Sequence, residues 1–164
     1  MPYGFVATVG PRRGRRARLR GVDVRPLEIA QHEAAHVVVG VALGLRLRAA
    51  VVGARAGRID GVPVDGWAWF HGGARRREAI AVMTAAGVAW DRAVGAPAWR
   101  ASLDLRGVRE LTSGRHGVAT AIACAAAVLS ARAAAHARVT RALLARDLTG
   151  DDLAAIARGE ALED

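Results

Sequence analysis

The stretch Gln31-His32-Glu33-Ala34-Ala35-His36 holds the residues best placed to do chemistry. It has the pattern His-Glu-x-x-His inside a run of helix-forming and apolar residues. On a helix, residues four apart lie one turn above each other on the same face. His32 and His36 can therefore offer two imidazoles to one metal ion, with Glu33 one position round the helix and in reach of a water on that ion. A catalytic zinc ion needs such parts: nitrogen ligands, an open coordination position and a base for the activated water. The pattern predicts a zinc-dependent hydrolase with His32 and His36 as ligands and Glu33 as general base. The plainer alternative is two buried histidines on a core helix.

Catalytic zinc commonly takes a third protein ligand. A third histidine one helical step further on is excluded, because that position is Ala42. An Asn-Glu-x-x-Ser-Asp stretch, which would offer a glutamate, is also absent from the chain. The remaining candidates are Asp104, Asp91, Glu78, Glu110, His71 and His116. Asp104 stands out because Leu103 and Leu105 flank it. A carboxylate in apolar surroundings is costly unless paired or bound to a metal. The competing reading is an ordinary acid in the first turn of a helix.

The elements that must position these residues are mostly helical. Pro26 and Glu28 suit a helix start, and the apolar pattern carries that helix from about Asp23 or Arg25 to Leu43, with Gly44 as the stop. The valines at 37, 38, 39 and 41 make it apolar on most sides, which predicts a central, buried helix. Residues 47–52 and Gly66-Trp67-Ala68-Trp69-Phe70 read as two short strands. Trp67 and Trp69 are expected on one face of the second, Ala68 and Phe70 on the other. Alternatively, the tryptophans cover the helical core. Further helices are predicted from Ala74 to Val94, from about Ala101 to Ser113, from His116 to about Asp147 with a bend midway, and over Leu153–Arg158 with Thr149 as N-cap. The fold class is thus mainly α, with a small two- or three-stranded β element beside the active-site helix.

The 164 residues make one domain, 23–164, preceded by a basic, flexible arm over 1–22. Within that arm Tyr3–Val9 could form a strand, and Gly10–Gly21 carries six arginines among glycines. The net charge is +9, yet all 24 basic residues are arginine, a compositional bias that weakens any argument from charge alone. The arm also lacks the interleaved aromatics of a nucleic-acid binder, so nucleic acid is not the expected partner. Cys124, the single cysteine, lies in an apolar run and reads as a buried thiol. The apolar runs Ala34–Leu45 and Val118–Ala131 are short for a membrane span, and no signal peptide is evident, so a cytoplasmic protein without a membrane partner is expected.

Taken together, these motifs resemble the zinc peptidase domain of the FtsH-type AAA proteases. His32-Glu33-Ala34-Ala35-His36-Val37-Val38 is similar to that family's His-Glu-Ala-Gly-His-Ala-Val, and Gly66-Trp67-Ala68-Trp69-Phe70 to its Gly-Tyr-Thr-x-Phe strand. Ala86-Gly87-Val88-Ala89-Trp90-Asp91 sits where the family has Gly-Gly-Arg-x-Ala-Glu-Glu, and Ser102-Leu103-Asp104-Leu105 matches its Ser-Asn-Asp-Leu/Ile. Leu143–Leu153 is similar to its closing segment. The resemblance implies a metalloendopeptidase with one Zn2+ held by His32, His36 and Asp104. It implies Glu33 as base and the 66–70 strand as the element that pairs, through its edge, with an extended polypeptide substrate.

Three departures stand out. No phosphate-binding loop of an ATPase and no transmembrane segment is present, and Trp90-Asp91 replaces the Glu-Glu pair. Asp91 is then either a carboxylate orienting a ligand or a surface acid. Substrates are expected to be unfolded or flexible segments unless a separate unfoldase or self-assembly feeds the site. A zinc-binding regulatory protein with weak or no activity is the alternative.

Overall fold

A computed structural model describes residues 4–9, 26–56, 58–59, 62–71, 76–97, 100–145 and 148–162. The Gly10–Gly21 piece lies outside the described residues. In chain order the elements are β1 (Gly4–Val9), α1 (Pro26–Ala42), β2 (Leu47–Val52), a short 3-10 turn (Gly53–Ala56), β3 (Arg58–Ile59), β4 (Val62–Pro63), β5 (Gly66–His71), α2 (Arg77–Ala93), α3 (Ser102–Leu111), α4 (Gly114–Ala131), α5 (Ala133–Ala145) and α6 (Gly150–Arg158). The fold is mainly α with a small β element, as the pattern predicts.

α1 is the core of the molecule. Every residue from Ile29 to Gly40 except Gln31 is buried. Its β-branched valines are mediocre helix formers, so burial rather than propensity holds this helix. Gly44, at φ 69, ends it in the left-handed conformation, and Leu45 N–H donates to the Gly40 carbonyl at 2.9 Å. α2, α5, α6 and the sheet all pack around α1.

β5 lies along α1. A Cβ on Gly66 would stand 2.9 Å from Cγ of Glu33, and one on Gly40 would enter the Phe70 ring. Glycine at these two positions lets the strand and the helix approach closely. Ala68 and Phe70 are fully buried against the core, whereas Trp67 and Trp69 are half-buried on the opposite face. Trp67 Nε1 donates to the Ala56 carbonyl at 2.9 Å, and the Arg48 guanidinium stands 4.5 Å over the Trp69 ring. The tryptophans therefore cover the outer face of the sheet, not the helical core.

Several expectations need correction. The three-stranded sheet has the order β1-β5-β2, with both pairings antiparallel. The 66–70 strand is therefore central, and both of its edges are taken by strands of the chain itself. Residues 4–9 belong to that sheet and not to an arm. Cys124 is exposed. α4 seats only Ala121, Ile122, Ala125 and Leu129 on the core, a stripe at i, i+1, i+4 and i+8 that leaves position 124 outside. The apolar run at 118–131 is also part of a longer helix. By length and composition the 18-residue helix Gly114–Ala131 could cross a membrane, although one face packs on α2.

The remaining helices follow the sequence closely. The expected bend in the last third is a break at Arg132 between α4 and α5. α6 begins with a capping box in which Thr149 Oγ1 accepts from the Asp152 N–H at 3.1 Å and Asp152 accepts from the Thr149 N–H at 2.9 Å.

Candidate metal centre

Three elements converge on one point in the core. α1 supplies His32, Glu33 and His36, all at 0 % exposure, and α3 supplies Asp104 at 1 %. Asp104 and Val108, one turn apart, are the buried residues of α3, so its inward stripe carries the carboxylate. Asp104 lies in the first turn, where the helix dipole favours negative charge. α2 contributes a third stripe, Met83, Gly87 and Asp91, at four-residue spacing.

That stripe fixes the two imidazoles. His32 Nδ1 lies 3.0 Å from Asp91 Oδ2, and His36 Nδ1 lies 2.9 Å from the Met83 carbonyl oxygen. A carbonyl and an ionised carboxylate only accept, so each Nδ1 carries the proton. Both Nε2 atoms are thereby turned toward Asp104. His32 Nε2 is 2.9 Å and His36 Nε2 3.2 Å from Asp104 Oδ2, and the two Nε2 atoms are 3.2 Å apart. Between Asp91 and α1 lies Arg100, 4 % exposed. Its Nη2 is 3.6 Å from Asp91 Oδ1, and its Nη1 and Nη2 donate to the side chain and carbonyl of Glu28 at 3.1 and 2.8 Å.

The electrostatics follow from this packing. Burial alone would push the His32 imidazole down, but hydrogen bonds to Asp104 and Asp91 outweigh it and raise it from 6.5 to about 10. His36 is also raised: burial opposes its charge, and the adjacent Asp104 carboxylate prevails. Burial would raise Asp104, yet the His36 charge and the two imidazole hydrogen bonds bring it from 3.8 down to about 2. The cluster therefore has a strong demand for positive charge at its centre.

His32, His36 and Asp104 form a group that could hold a metal ion. With both rings neutral, the three atoms of the triangle are all acceptors, an arrangement that requires protons or a cation between them. Ligands about 2.0–2.1 Å from a tetrahedral zinc ion stand roughly 3.3 Å apart. The observed separations of 2.9, 3.2 and 3.2 Å are close to that spacing, so the residues fit such an ion.

The structure thus brings together His32, Glu33, His36, Asp104 and Asp91, whereas Glu78, Glu110, His71 and His116 are exposed. Gly66 of the expected substrate strand touches Glu33. Sequence reasoning missed the Met83 carbonyl, Arg100 and the role of Gly87. A Cβ on Gly87 would stand 2.6 Å from His36 Nε2 and would also strike the His32 ring. A glycine in mid-helix among alanines was the available signal for this close approach. Nothing comparable marks Arg100 or a backbone carbonyl.

No family model matches the chain, and comparisons with curated proteins and with solved structures give no match.

Proposed function

We propose that this protein is a zinc-dependent metalloendopeptidase acting on unfolded or flexible polypeptide segments. The observation that carries the reading is the convergence of His32 Nε2, His36 Nε2 and Asp104 Oδ2 within 3.2 Å, with Glu33 on the same helical turn. The resemblance to the FtsH-type peptidase domain supports it from the sequence side.

His32, His36 and Asp104 would hold the ion, leaving one position open. A zinc ion held there would supply Lewis-acid chemistry for carbonyl polarisation and water activation. Glu33 would take the proton of the attacking water and deliver it to the leaving amine. Asp91 and the Met83 carbonyl keep both imidazoles in the tautomer that presents Nε2 to the ion. Replacing Glu33 by Gln should keep zinc and abolish hydrolysis of casein, an unfolded substrate. Casein turnover by Glu33→Gln equal to wild type would overturn the assignment.

A second reading, a zinc-binding regulatory protein without turnover, draws on the complete burial of His32, Glu33 and His36. It predicts stoichiometric zinc and no hydrolysis of any unfolded substrate.

A further inference from the structure

Burial of the cluster raises the question of what covers it. A hydrolytic site must admit an extended chain beside the base and the ion, and here Glu33 is 0 % and Asp104 1 % exposed. Extended peptides bind by adding a strand to a sheet edge, where main-chain hydrogen bonds supply affinity. β5 is the strand against the base, because a Cβ on its Gly66 would stand 2.9 Å from Glu33 Oε1. Its edge toward β2 is closed by a structural strand that also packs on α1 and α6. Its other edge is paired along its whole length with β1, from Gly4 opposite His71 to Val9 opposite Gly66. The backbone of β1 in turn runs against α3, which carries Asp104, and against α1, which carries the two histidines. An extended chain between β5 and α3 would therefore need the place that residues 4–9 fill.

We infer that the β5 edge facing α3 is a peptide-binding site and that Gly4–Val9 is its resident occupant, a strand of the chain itself lying in the position of substrate. The inference rests on the peptidase reading. It also names the class of ligand: an extended, uncharged segment of small and β-branched residues with one aromatic, resembling Gly-Phe-Val-Ala-Thr-Val. Among the described residues β1 is a terminal strand of the sheet, paired on one side. It adds no covalent crossover between β5 and α3, and sixteen residues, 10–25, separate it from α1. A six-residue strand whose ladder runs to one neighbour, packed beside α3 and α1, can open locally without unfolding the helices. A competing peptide can replace its hydrogen bonds one for one. Occupancy of the site is then set by competition between β1 and substrate, and the enzyme is restrained until β1 leaves.

The test uses the intact 164-residue chain, loaded with zinc. Val6→Pro/Ala7→Pro removes two adjacent backbone donors, one of which must face β5 because donors alternate along a strand. A fluorescently labelled peptide of sequence Gly-Phe-Val-Ala-Thr-Val should bind this variant at least tenfold more tightly than wild type, and casein turnover should rise several-fold. Equal peptide affinity in the two proteins, with helical circular dichroism unchanged, would overturn the inference. A second variant guards against misfolding: Ala7→Cys/Ala68→Cys in a Cys124→Ser background joins residues that face each other across the ladder. Oxidation with diamide should abolish labelled-peptide binding and reduction should restore it; binding indifferent to oxidation would contradict the proposal. Peptide binding that follows these expectations without casein hydrolysis would leave the strand site standing and reject the peptidase. Zinc-dependent hydrolysis indifferent to both variants would do the reverse.

Discussion

Gly87 and His36 meet across the α1–α2 contact so closely that a Cβ on Gly87 would stand 2.6 Å from the His36 Nε2 atom. In an open helix, Gly→Ala stabilises by roughly 1 kcal/mol. Here the methyl group would press on both the His32 and His36 imidazoles, and overpacking of about 1–3 kcal/mol should prevail. Gly87→Ala is expected to lower the urea midpoint and to weaken zinc binding more than tenfold in chelator competition. A stabilised variant with unaltered zinc affinity would show that α2 does not constrain the histidines.

Asp91 holds His32 through Nδ1 at 3.0 Å. Removing an outer partner of a ligating histidine typically costs about 10–100-fold in metal affinity. Asp91→Ala should fall in that range. Asp91→Asn should lose less, because its amide oxygen still accepts the Nδ1 proton. Chelator competition on the two variants measures the order, and equal losses would contradict the tautomer assignment.

The buried charges also set a pH profile for the metal-free protein. His32 is raised from 6.5 to about 10, so its contribution to stability is full below 6.5 and is lost as pH rises toward 10. Asp104 is lowered from 3.8 to about 2, so its contribution is present above 3.8 and is lost as pH falls toward 2. Chelator-treated protein should have its highest urea midpoint between those limits, near pH 5–6. Zinc competes with the same protons, so its affinity should increase with pH across the neutral range. Urea midpoints that climb steadily from pH 5 to 9 without metal would refute this charge arrangement.

Cys124 should react fully with a thiol reagent in the native state, since it lies on the exposed side of α4. Labelling that requires denaturant would mean that another surface covers this helix face.

The candidate metal centre was largely legible because its parts are local or carry distinctive chemistry. His32, Glu33 and His36 share one helical turn, and Asp104 is marked by its leucine neighbours. Helix boundaries near Pro26, Gly44 and Thr149 follow from residues whose backbone preferences are strong. What the sequence concealed depends on distant partners. Strand pairing is non-local, so nothing in Gly66–His71 reveals that β1 and β2 close both of its edges. Composition made Cys124 look buried, but alanine is small and only mildly apolar, so an alanine-rich helix can bury one narrow stripe and expose the rest. Arg100 acquires its role only where α1 and α2 bring Glu28 and Asp91 together.

The most direct measurement is the zinc coordination itself, from anomalous diffraction on zinc-soaked crystals. One ion is expected per chain, about 2.0–2.2 Å from Nε2 of His32, Nε2 of His36 and a carboxylate oxygen of Asp104, with Glu33 outside bonding distance. Zinc bound at another place, or held by the two histidines with Asp104 remote, would contradict the proposed centre.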